Sequence, residues 1–231
     1  MKKVQLFLAG DSTMCDYEPE RYPRMGWGQV LSSFFHHQVM IRNHAASGRS
    51  SRSFLTEKRW EAIEKELQAG DYVLIQFGHN DQKPDLERST DPFSSYQEHL
   101  QFMIERTRTC GGTPLLLTSI ARRHFSETGK LLDTHGDYPK AACELAEKQG
   151  VTVIDMNRLS QRLISELGEE SSKKLFMWIA PGIYSAYPDG EQDDTHLQEH
   201  GARAMARLFI DEIQEIKHPL ATFLPRDEVK S

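Results

Sequence analysis

Five short apolar runs alternate with amphipathic segments along most of this sequence. The runs are rich in Val, Ile, Leu and Phe and are bounded by Gly, Asn, Asp or Pro, a composition typical of strands that are buried on both faces. The segments between them repeat apolar residues at helical spacing, and three of them end at glycine. The five runs are VQLFLAG, QVMIRNHA, DYVLIQFGHN, TPLLLTSI and VTVIDM. Their alternation with helices predicts an α/β fold.

The order of these segments also predicts how the sheet is built. A strand followed by a helix, repeated five times, implies a five-stranded parallel sheet with right-handed crossovers and helices on both faces. We expect a doubly wound, flavodoxin-like strand order. The segment HLQEHGARAMARLFIDEIQEI should form the closing helix. The length suits a single domain, residues 1–231, with one substantial core.

Composition and charge argue against several classes of protein. Lys and Arg are scattered and the formal net charge is -6, so a basic surface for nucleic acid is not expected. The three cysteines are an odd number without a CxxC spacing, which argues against a disulfide framework or a zinc ribbon and favours a reducing compartment. No stretch approaches the length of a membrane span, and the first apolar run is too short for a signal peptide. We therefore expect a soluble, cytoplasmic protein that has no membrane partner.

Polar residues of catalytic type follow three of the predicted strands. In an open parallel sheet, ligands bind outside the carboxyl ends of the strands. The first strand runs into Ser12, the second into a turn with Gly48, and the third into Asn80. The closing helix should begin at the same edge, just after Asp193 and His196. These five residues are therefore predicted to meet at one rim of the sheet.

Four long stretches have neither a strand nor a helix pattern. Loops of this length in a compact domain are more often functional than idle. They cover roughly residues 15–26, 80–93, 121–138 and 180–195.

The five rim residues are of the types that serine acyl transfer requires. The Ser12 hydroxyl needs an adjacent base, for which His196 is the candidate. Asp193 lies three residues before this histidine and could hold its tautomer from one helical turn away. The backbone N–H groups of Ser12 and Gly48 and the amide of Asn80 could stabilise the oxyanion. We also expect Ser12 to lie near the positive end of a helix that follows it.

The same residues resemble the motifs of a known enzyme family. GDST, a glycine after the second strand, GHND and a DxxH pattern near the C-terminus resemble the four blocks of the SGNH (GDSL-like) hydrolases, in that family's order. Longer stretches look like the rhamnogalacturonan acetylesterase subgroup over nearly the whole chain, namely MGWGQVL, NHAASGRSSRSF, QFGHND, TSIARRHF, HGDYPKAACELAEKQGVTVIDM and DDTHLQEHGA. The resemblance implies Ser12 as nucleophile, Gly48 and Asn80 as oxyanion donors, and Asp193 and His196 as the other triad members. It also implies a three-layer α/β/α domain that removes acetyl groups from pectic oligosaccharides without a metal or another cofactor.

Each of these residues also has a purely structural interpretation. Ser12 could cap a helix, as serine residues after a turn often do. Gly48 could be required only for a turn with positive φ, which would still allow its N–H to bind the oxyanion. Asn80 could bond the backbone of its own loop. The presence of all four motifs in order favours the catalytic interpretation.

The region around His196 allows two other assignments. Asp194 could compete with Asp193 for the imidazole if the helix starts one residue later. The sequence HLQEH also fits the H-x-x-E-H pattern of inverzincins, with His196 and His200 as zinc ligands and Glu199 as base. A zinc peptidase would need a further carboxylate ligand and would leave GDST and GHND without a role, so we favour the serine assignment.

Five further residues are candidates for binding a substrate. Arg122 and Arg123 follow the fourth strand at the same rim and could pair with a galacturonate carboxylate, or could form a solvated basic loop. Trp27 could offer a stacking face to a sugar, or could pack at the start of its helix. His79 could line the site or make a structural hydrogen bond, and Asp11 lies directly beside the predicted nucleophile.

Taken together, the sequence predicts a metal-independent serine esterase that deacetylates a carbohydrate. Its expected partner is an acetylated oligosaccharide. Two other functions also fit the sequence: hydrolysis of lipid or thioester acyl chains on the same scaffold, and carbohydrate binding without catalysis. A preference for longer acyl chains would indicate the first, and saccharide binding without ester turnover would indicate the second.

Overall fold

The five apolar runs form one parallel sheet in the computed structural model, which describes residues 3–225. The strand order is β2-β1-β3-β4-β5, and every neighbouring pair is parallel. This is the flavodoxin-like order that the alternation of strands and helices predicts, and that prediction is confirmed. The strands are β1 (Val4–Gly10), β2 (Val39–Asn43), β3 (Tyr72–Gln76), β4 (Thr113–Leu117) and β5 (Thr152–Ile154).

Helices cover both faces of this sheet and make it the middle of three layers. The helices α1 to α4 pack on one face, and α5, α6 and the 3₁₀ helix Trp27–Ser33 pack on the other. No helix within residues 3–225 combines the length and the apolar composition that crossing a bilayer requires. The α-helices are α1 (Ser51–Thr56), α2 (Arg59–Glu66), α3 (Gln97–Thr109), α4 (Tyr138–Gln149), α5 (Met156–Ser172) and α6 (Glu199–Glu215).

The alternation of side chains along the strands explains why both faces are apolar. In β1, Leu6 and Leu8 belong to the core under α5 and α6, whereas Phe7 and Ala9 belong to the core under α1 to α4. All four side chains are fully buried. Successive residues of a strand point to opposite faces, so a continuous apolar run supplies both cores at once.

Three elements differ from the expectation or were not anticipated. The connection from β1 to β2 contains a 3₁₀ helix in place of an α-helix. Helix α1 is serine-rich, and its N-terminus is closed by a capping box in which Ser50 and Ser53 bond each other's backbone N–H groups. Helix α5 is interrupted at Gly168, whose φ of 73° is not helical. Weak intrinsic helix preference hides α1 from periodicity analysis.

A small antiparallel hairpin lies outside the main sheet and carries part of the site. It consists of β6 (Phe176–Ile179) and β7 (Glu191–Leu197). The closing helix begins after it, at Glu199, so the segment that starts at His196 is not helical from its first residue. The predicted helical turn between Asp193 and His196 is therefore wrong.

Candidate active site

Ser12 lies at the carboxyl end of β1, where the chain turns sharply. The carbonyl of Asp11 accepts hydrogen bonds from the N–H groups of Met14 and Cys15, at 3.1 and 3.0 Å. The Ser12 side chain is 7% exposed and faces a cleft. The turn continues into a loop, and the next helical element is the single 3₁₀ turn Pro19–Arg21. The expected helix behind Ser12 is therefore not formed, and neither a helix dipole nor a helix cap explains this serine.

A chain of buried hydrogen bonds holds that turn in place. Trp27 Nε1 donates to Gln76 Oε1 at 3.0 Å, and Gln76 Nε2 donates to Thr13 Oγ1 at 2.9 Å. Thr13 in turn donates to Asp11 Oδ1 through its backbone N–H (2.9 Å) and its hydroxyl (2.8 Å). Gln76 is the last residue of β3, so the chain ties the end of β1 to its neighbouring strand.

Two of the predicted substrate contacts are wrong because their side chains belong to this buried chain. Trp27 is fully buried and packs against Phe209, with ring centroids 5.6 Å apart. Asp11 is also fully buried, beneath the cleft. Neither side chain lines the cleft, so the first has no face to offer a sugar and the second supports the turn that presents Ser12.

A bulge in β7 brings the predicted acid and base together. The pairing with β6 shifts by three residues between Phe176 and Met177, so residues 194–196 are extra to the ladder. Asp193 Oδ1 accepts hydrogen bonds from the backbone N–H groups two and three residues ahead, at 2.7 and 3.0 Å. This Asx-type turn folds the imidazole of His196 back over the carboxylate.

Ser12, His196 and Asp193 form a continuous hydrogen-bonded chain. His196 Nε2 lies 3.0 Å from Ser12 Oγ, and His196 Nδ1 lies 2.6 Å from Asp193 Oδ2. Burial alone would raise the pKa of Asp193, but the hydrogen bond and the charge of His196 outweigh it and hold that pKa well below its usual value. The guanidinium of Arg24 lies 3.5 Å from the same carboxylate. An ionised Asp193 keeps the imidazole proton on Nδ1 and leaves the Nε2 lone pair facing Ser12.

Asp194, the competing acid, points away from the imidazole. Its Oδ1 accepts from Arg123 Nη1 at 2.6 Å and from Trp178 Nε1 at 2.7 Å. Arg123 is 3% exposed and also donates to the carbonyl of Glu169. The prediction that Arg123 contacts a substrate is therefore wrong, because the ion pair with Asp194 holds its buried guanidinium away from the cleft.

The cleft brings together the five residues predicted from the four motifs. It has a volume of about 360 Å³ and is open to solvent. Gly48 has a φ of +79°, and nothing lies within 4 Å of where its Cβ would be, so backbone conformation, and not space, requires glycine there. Asn80 Nδ2 donates to the carbonyl of Arg49 at 3.0 Å, which fixes the amide beside the Gly48 loop. The cleft is lined by Ser12, Gly48, Asn80, Asp193 and His196, together with His79 and Arg122.

Asp81, the last residue of GHND, ties the second motif to the third. Its carboxylate accepts hydrogen bonds from the N–H and hydroxyl of Ser51 and from the Thr90 hydroxyl. Burial raises the pKa of Asp81 to about 7, although these hydrogen bonds act in the opposite direction. The contact sets the distance between the loop of Gly48 and the loop of Asn80, and sequence motifs gave no direct sign of it.

Basic side chains face the same cleft. Arg122 is half-buried and donates to the carbonyls of Thr134 and His79, and no carboxylate of residues 3–225 lies within ion-pair distance of it. Lys83 and Arg88 also line the cleft, and Arg88 is paired with Asp85. Sequence reasoning predicted Arg122 and missed the other two, whose only signal was their place in the long loop after GHND.

The arrangement of HLQEH does not match the zinc motif. His196 lies in β7, whereas His200 lies in α6, so the two histidines are not one turn apart on one helix. Both nitrogens of His196 are already hydrogen-bonded. Glu199 accepts from Tyr22 and forms an ion pair with Arg203. Within the described part of the chain, no group of three His, Cys, Asp or Glu side chains is placed to hold a metal ion.

The buried Asp11 makes stability depend on pH. Burial raises its pKa from 3.8 to about 6, and its Oδ2 has no hydrogen-bond partner within residues 3–225. Between these two values the folded protein binds more protons than the unfolded chain, so the contribution of Asp11 to stability is present below pH 3.8 and is lost as the pH rises through about 6. Urea unfolding at pH 4.5 and 7.5 should show the parent losing about 2 kcal/mol relative to Asp11→Asn. Equal pH dependence in the two proteins would contradict this assignment.

Comparison with known proteins identifies the family. Residues 8–204 match the GDSL-like Lipase/Acylhydrolase family. The chain is 44% identical over 229 residues to rhamnogalacturonan acetylesterase RhgT of Bacillus subtilis (strain 168), over 99% of this chain and 97% of that protein. It is 37% identical over 216 residues to the probable rhamnogalacturonan acetylesterase YesY of the same organism, over 93% of this chain and 94% of that protein.

A solved structure agrees with the sequence relatives. The crystal structure of the Bacillus subtilis protein YxiM superposes with a TM-score of 0.81 and 29% identity, over 94% of this chain and 58% of that chain. The family match covers most of the sequence and includes the segments that supply Ser12, Gly48, Asn80, Asp193 and His196. The chain therefore belongs to the GDSL-like lipase/acylhydrolase family and is a serine ester hydrolase.

Proposed function

We propose that this chain is an acetylesterase that removes acetyl groups from rhamnogalacturonan oligosaccharides. The observation that carries the proposal is the hydrogen-bonded chain from Ser12 through His196 to Asp193, which opens on a solvent-accessible cleft. Serine, imidazole and carboxylate in this order are the groups that acyl transfer through a covalent intermediate requires. The names of the two Bacillus relatives supply the substrate class.

The reaction then proceeds in two halves. His196 Nε2 accepts the proton of Ser12 as the hydroxyl oxygen attacks the acetyl carbonyl, and the imidazolium is stabilised by Asp193. The oxyanion is bound by the backbone N–H groups of Ser12 and Gly48 and by the amide of Asn80. Collapse of the tetrahedral intermediate breaks the ester bond and releases the sugar, whose alkoxide oxygen takes the proton from His196. Water, activated by the same imidazole, attacks the acyl-enzyme, releases acetate and restores the serine.

The charge of the cleft supports an acidic oligosaccharide. Arg122 presents a guanidinium whose protein partners are neutral oxygens, and Lys83 lies beside it. A second depression of about 640 Å³ adjoins the cleft and shares Gly48 and Arg88 with it. Arg52, in the wall of that depression, donates to a backbone carbonyl. Arg122 and Lys83 fit uronate carboxylates, although Glu57 and Glu87 also line the depression and the chain as a whole has a net charge of -6.

The test is acetate release from acetylated rhamnogalacturonan oligosaccharides, acetylated xylan and p-nitrophenyl acetate, in the presence of a metal chelator. The parent should favour the pectic substrate. Arg122→Gln should lower kcat/KM on that substrate by about 10- to 100-fold, mainly through KM, because a charge-assisted contact is lost. On p-nitrophenyl acetate the change should be no more than about threefold. Arg162→Gln, on the exposed face of α5, is the matched control and should leave all rates unchanged.

Other outcomes would redirect the proposal. Equal rates on pectic and xylan substrates would keep the esterase and remove the substrate assignment. A preference for longer acyl esters would favour lipid or thioester hydrolysis, and saccharide binding without turnover would favour a carbohydrate-binding role. Loss of activity with the chelator would contradict the metal-independent mechanism.

A further inference from the structure

His79 differs from the other residues of the cleft because one of its ring nitrogens is buried without a hydrogen-bond partner among residues 3–225. The residue lines the cleft beside Asn80 and Arg122, yet its side chain is 3% exposed. Its Nδ1 lies 3.3 Å from His135 Nε2, and its Nε2 has no hydrogen-bond partner within residues 3–225. A buried polar atom without a hydrogen-bond partner costs folding free energy, so the unpartnered Nε2 needs an explanation.

The hydrogen bonds of Asn157 determine which nitrogen of His135 carries the proton. Asn157 Nδ2 donates to the carbonyl of Ser119 at 3.1 Å, and Asn157 Oδ1 accepts from Gln161 Nε2 at 2.6 Å, so the amide can be oriented in only one way. The same Nδ2 lies 3.2 Å from His135 Nδ1 and must donate to it. His135 therefore carries its own proton on Nε2.

The tautomer of His135 in turn determines the tautomer of His79. Because His135 Nε2 carries a proton, it donates to His79 Nδ1, and the proton of His79 must lie on Nε2. Burial lowers the pKa of His135 to about 3 and also lowers that of His79, whose ring lies near His135 and Arg122. Both rings are therefore neutral, and His79 can act only as a donor through Nε2.

We propose that the Nε2–H of His79 donates a hydrogen bond to an oxygen of the sugar that carries the acetyl group. This inference rests on the proposed function. A carbohydrate presents oxygen acceptors on nearly every carbon, whereas the acetyl carbonyl already has the donors of Ser12, Gly48 and Asn80. His135 and Asn157 are positioning residues, because they hold the tautomer of His79 and do not line the cleft. A fixed donor of this kind selects for substrates with an oxygen at the matching position.

Two substrates separate this role from a structural one. His79→Phe keeps an aromatic ring and removes the donor, and it should lower kcat/KM on the acetylated oligosaccharide by about 10- to 100-fold. Hydrolysis of p-nitrophenyl acetate, which has no sugar, should change by less than about threefold. His79→Gln can offer an amide N–H to the sugar and an oxygen to His135, so it should recover at least part of the lost activity.

A spectroscopic measurement tests the tautomer directly. Nitrogen-15 NMR of the imidazoles in the parent should show His79 protonated on Nε2 and unprotonated on Nδ1. Asn157→Leu removes the donor that holds His135 and should produce a mixture of tautomers at His79, with a fall in oligosaccharide turnover.

Three results would overturn the inference. They are an equal loss on both substrates in His79→Phe, full oligosaccharide activity in that variant, and a parent His79 that is protonated on Nδ1. A parent that cleaves p-nitrophenyl acetate but no acetylated sugar would instead overturn the proposed function, and the sugar ligand of His79 with it.

Discussion

Replacing Ser12 with alanine is expected to lower kcat by about 10⁴-fold or more, because no acyl-enzyme can then form. The Ser12 hydroxyl is hydrogen-bonded to His196 and its loss leaves the buried bonds of the turn in place, so the fold should be retained. The measurement is acetate release under saturating substrate, together with thermal unfolding of both proteins. An unchanged melting temperature would show that the loss is chemical.

Ser47 supplies a matched control for that experiment. It is a second serine in the wall of the same cleft, but its side chain is not bonded to His196. Ser47→Ala should keep kcat within about tenfold of the parent. Turnover by Ser12→Ala above about a tenth of the parent rate would rule out Ser12 as the nucleophile.

The adjacent acids Asp193 and Asp194 should behave in opposite ways. Asp193→Asn keeps an oxygen for the two backbone N–H groups of the bulge, so the fold should remain, but the amide cannot stabilise the imidazolium. We expect kcat to fall by about 10³- to 10⁴-fold. The free energy of unfolding should also fall, because the carboxylate is ionised in the folded protein and lies 3.5 Å from the Arg24 guanidinium. The measurement is steady-state kinetics beside urea unfolding of the same preparation.

Asp194→Asn should lose stability and keep its chemistry. The change removes the carboxylate from the buried guanidinium of Arg123, which stays in contact with the Trp178 ring at 4.8 Å. Leaving that charge without its counter-ion should cost about 1–3 kcal/mol of unfolding free energy, since the carboxylate is partly exposed. kcat should remain within about tenfold of the parent. A large kinetic defect in Asp194→Asn and none in Asp193→Asn would reverse the assignment of the triad acid.

The central sheet was predictable because its pattern is local. Each strand is a continuous apolar run, and burial on both faces is what makes such a run recognisable without any partner. The alternation with helices then leaves few topologies, and the right-handed crossover rule removes most of those. The serine-rich α1 was missed because tertiary packing, and not intrinsic preference, stabilises it.

The substrate contacts that were predicted wrongly all concern the direction in which a side chain points. Trp27 and Asp11 lie in sequence beside the predicted helix and nucleophile, and sequence alone does not distinguish a wall of the cleft from the core beneath it. Arg122 and Arg123 are adjacent, yet one faces the cleft and the other pairs with Asp194. Neighbouring residues outside regular strands have no fixed alternation, so only the packed structure separates them.

The fold class, the strand order and the identity of the five residues around the cleft could all be predicted from the amino-acid sequence. Those follow from apolar periodicity and from motifs that each occupy a few consecutive positions. Three features become visible only in the folded chain: Asp193 reaches His196 through a strand bulge, Asp81 joins two loops, and the rings of His135 and His79 contact each other. These features depend on contacts between residues that are distant in the chain, and local patterns carry no information about such distances.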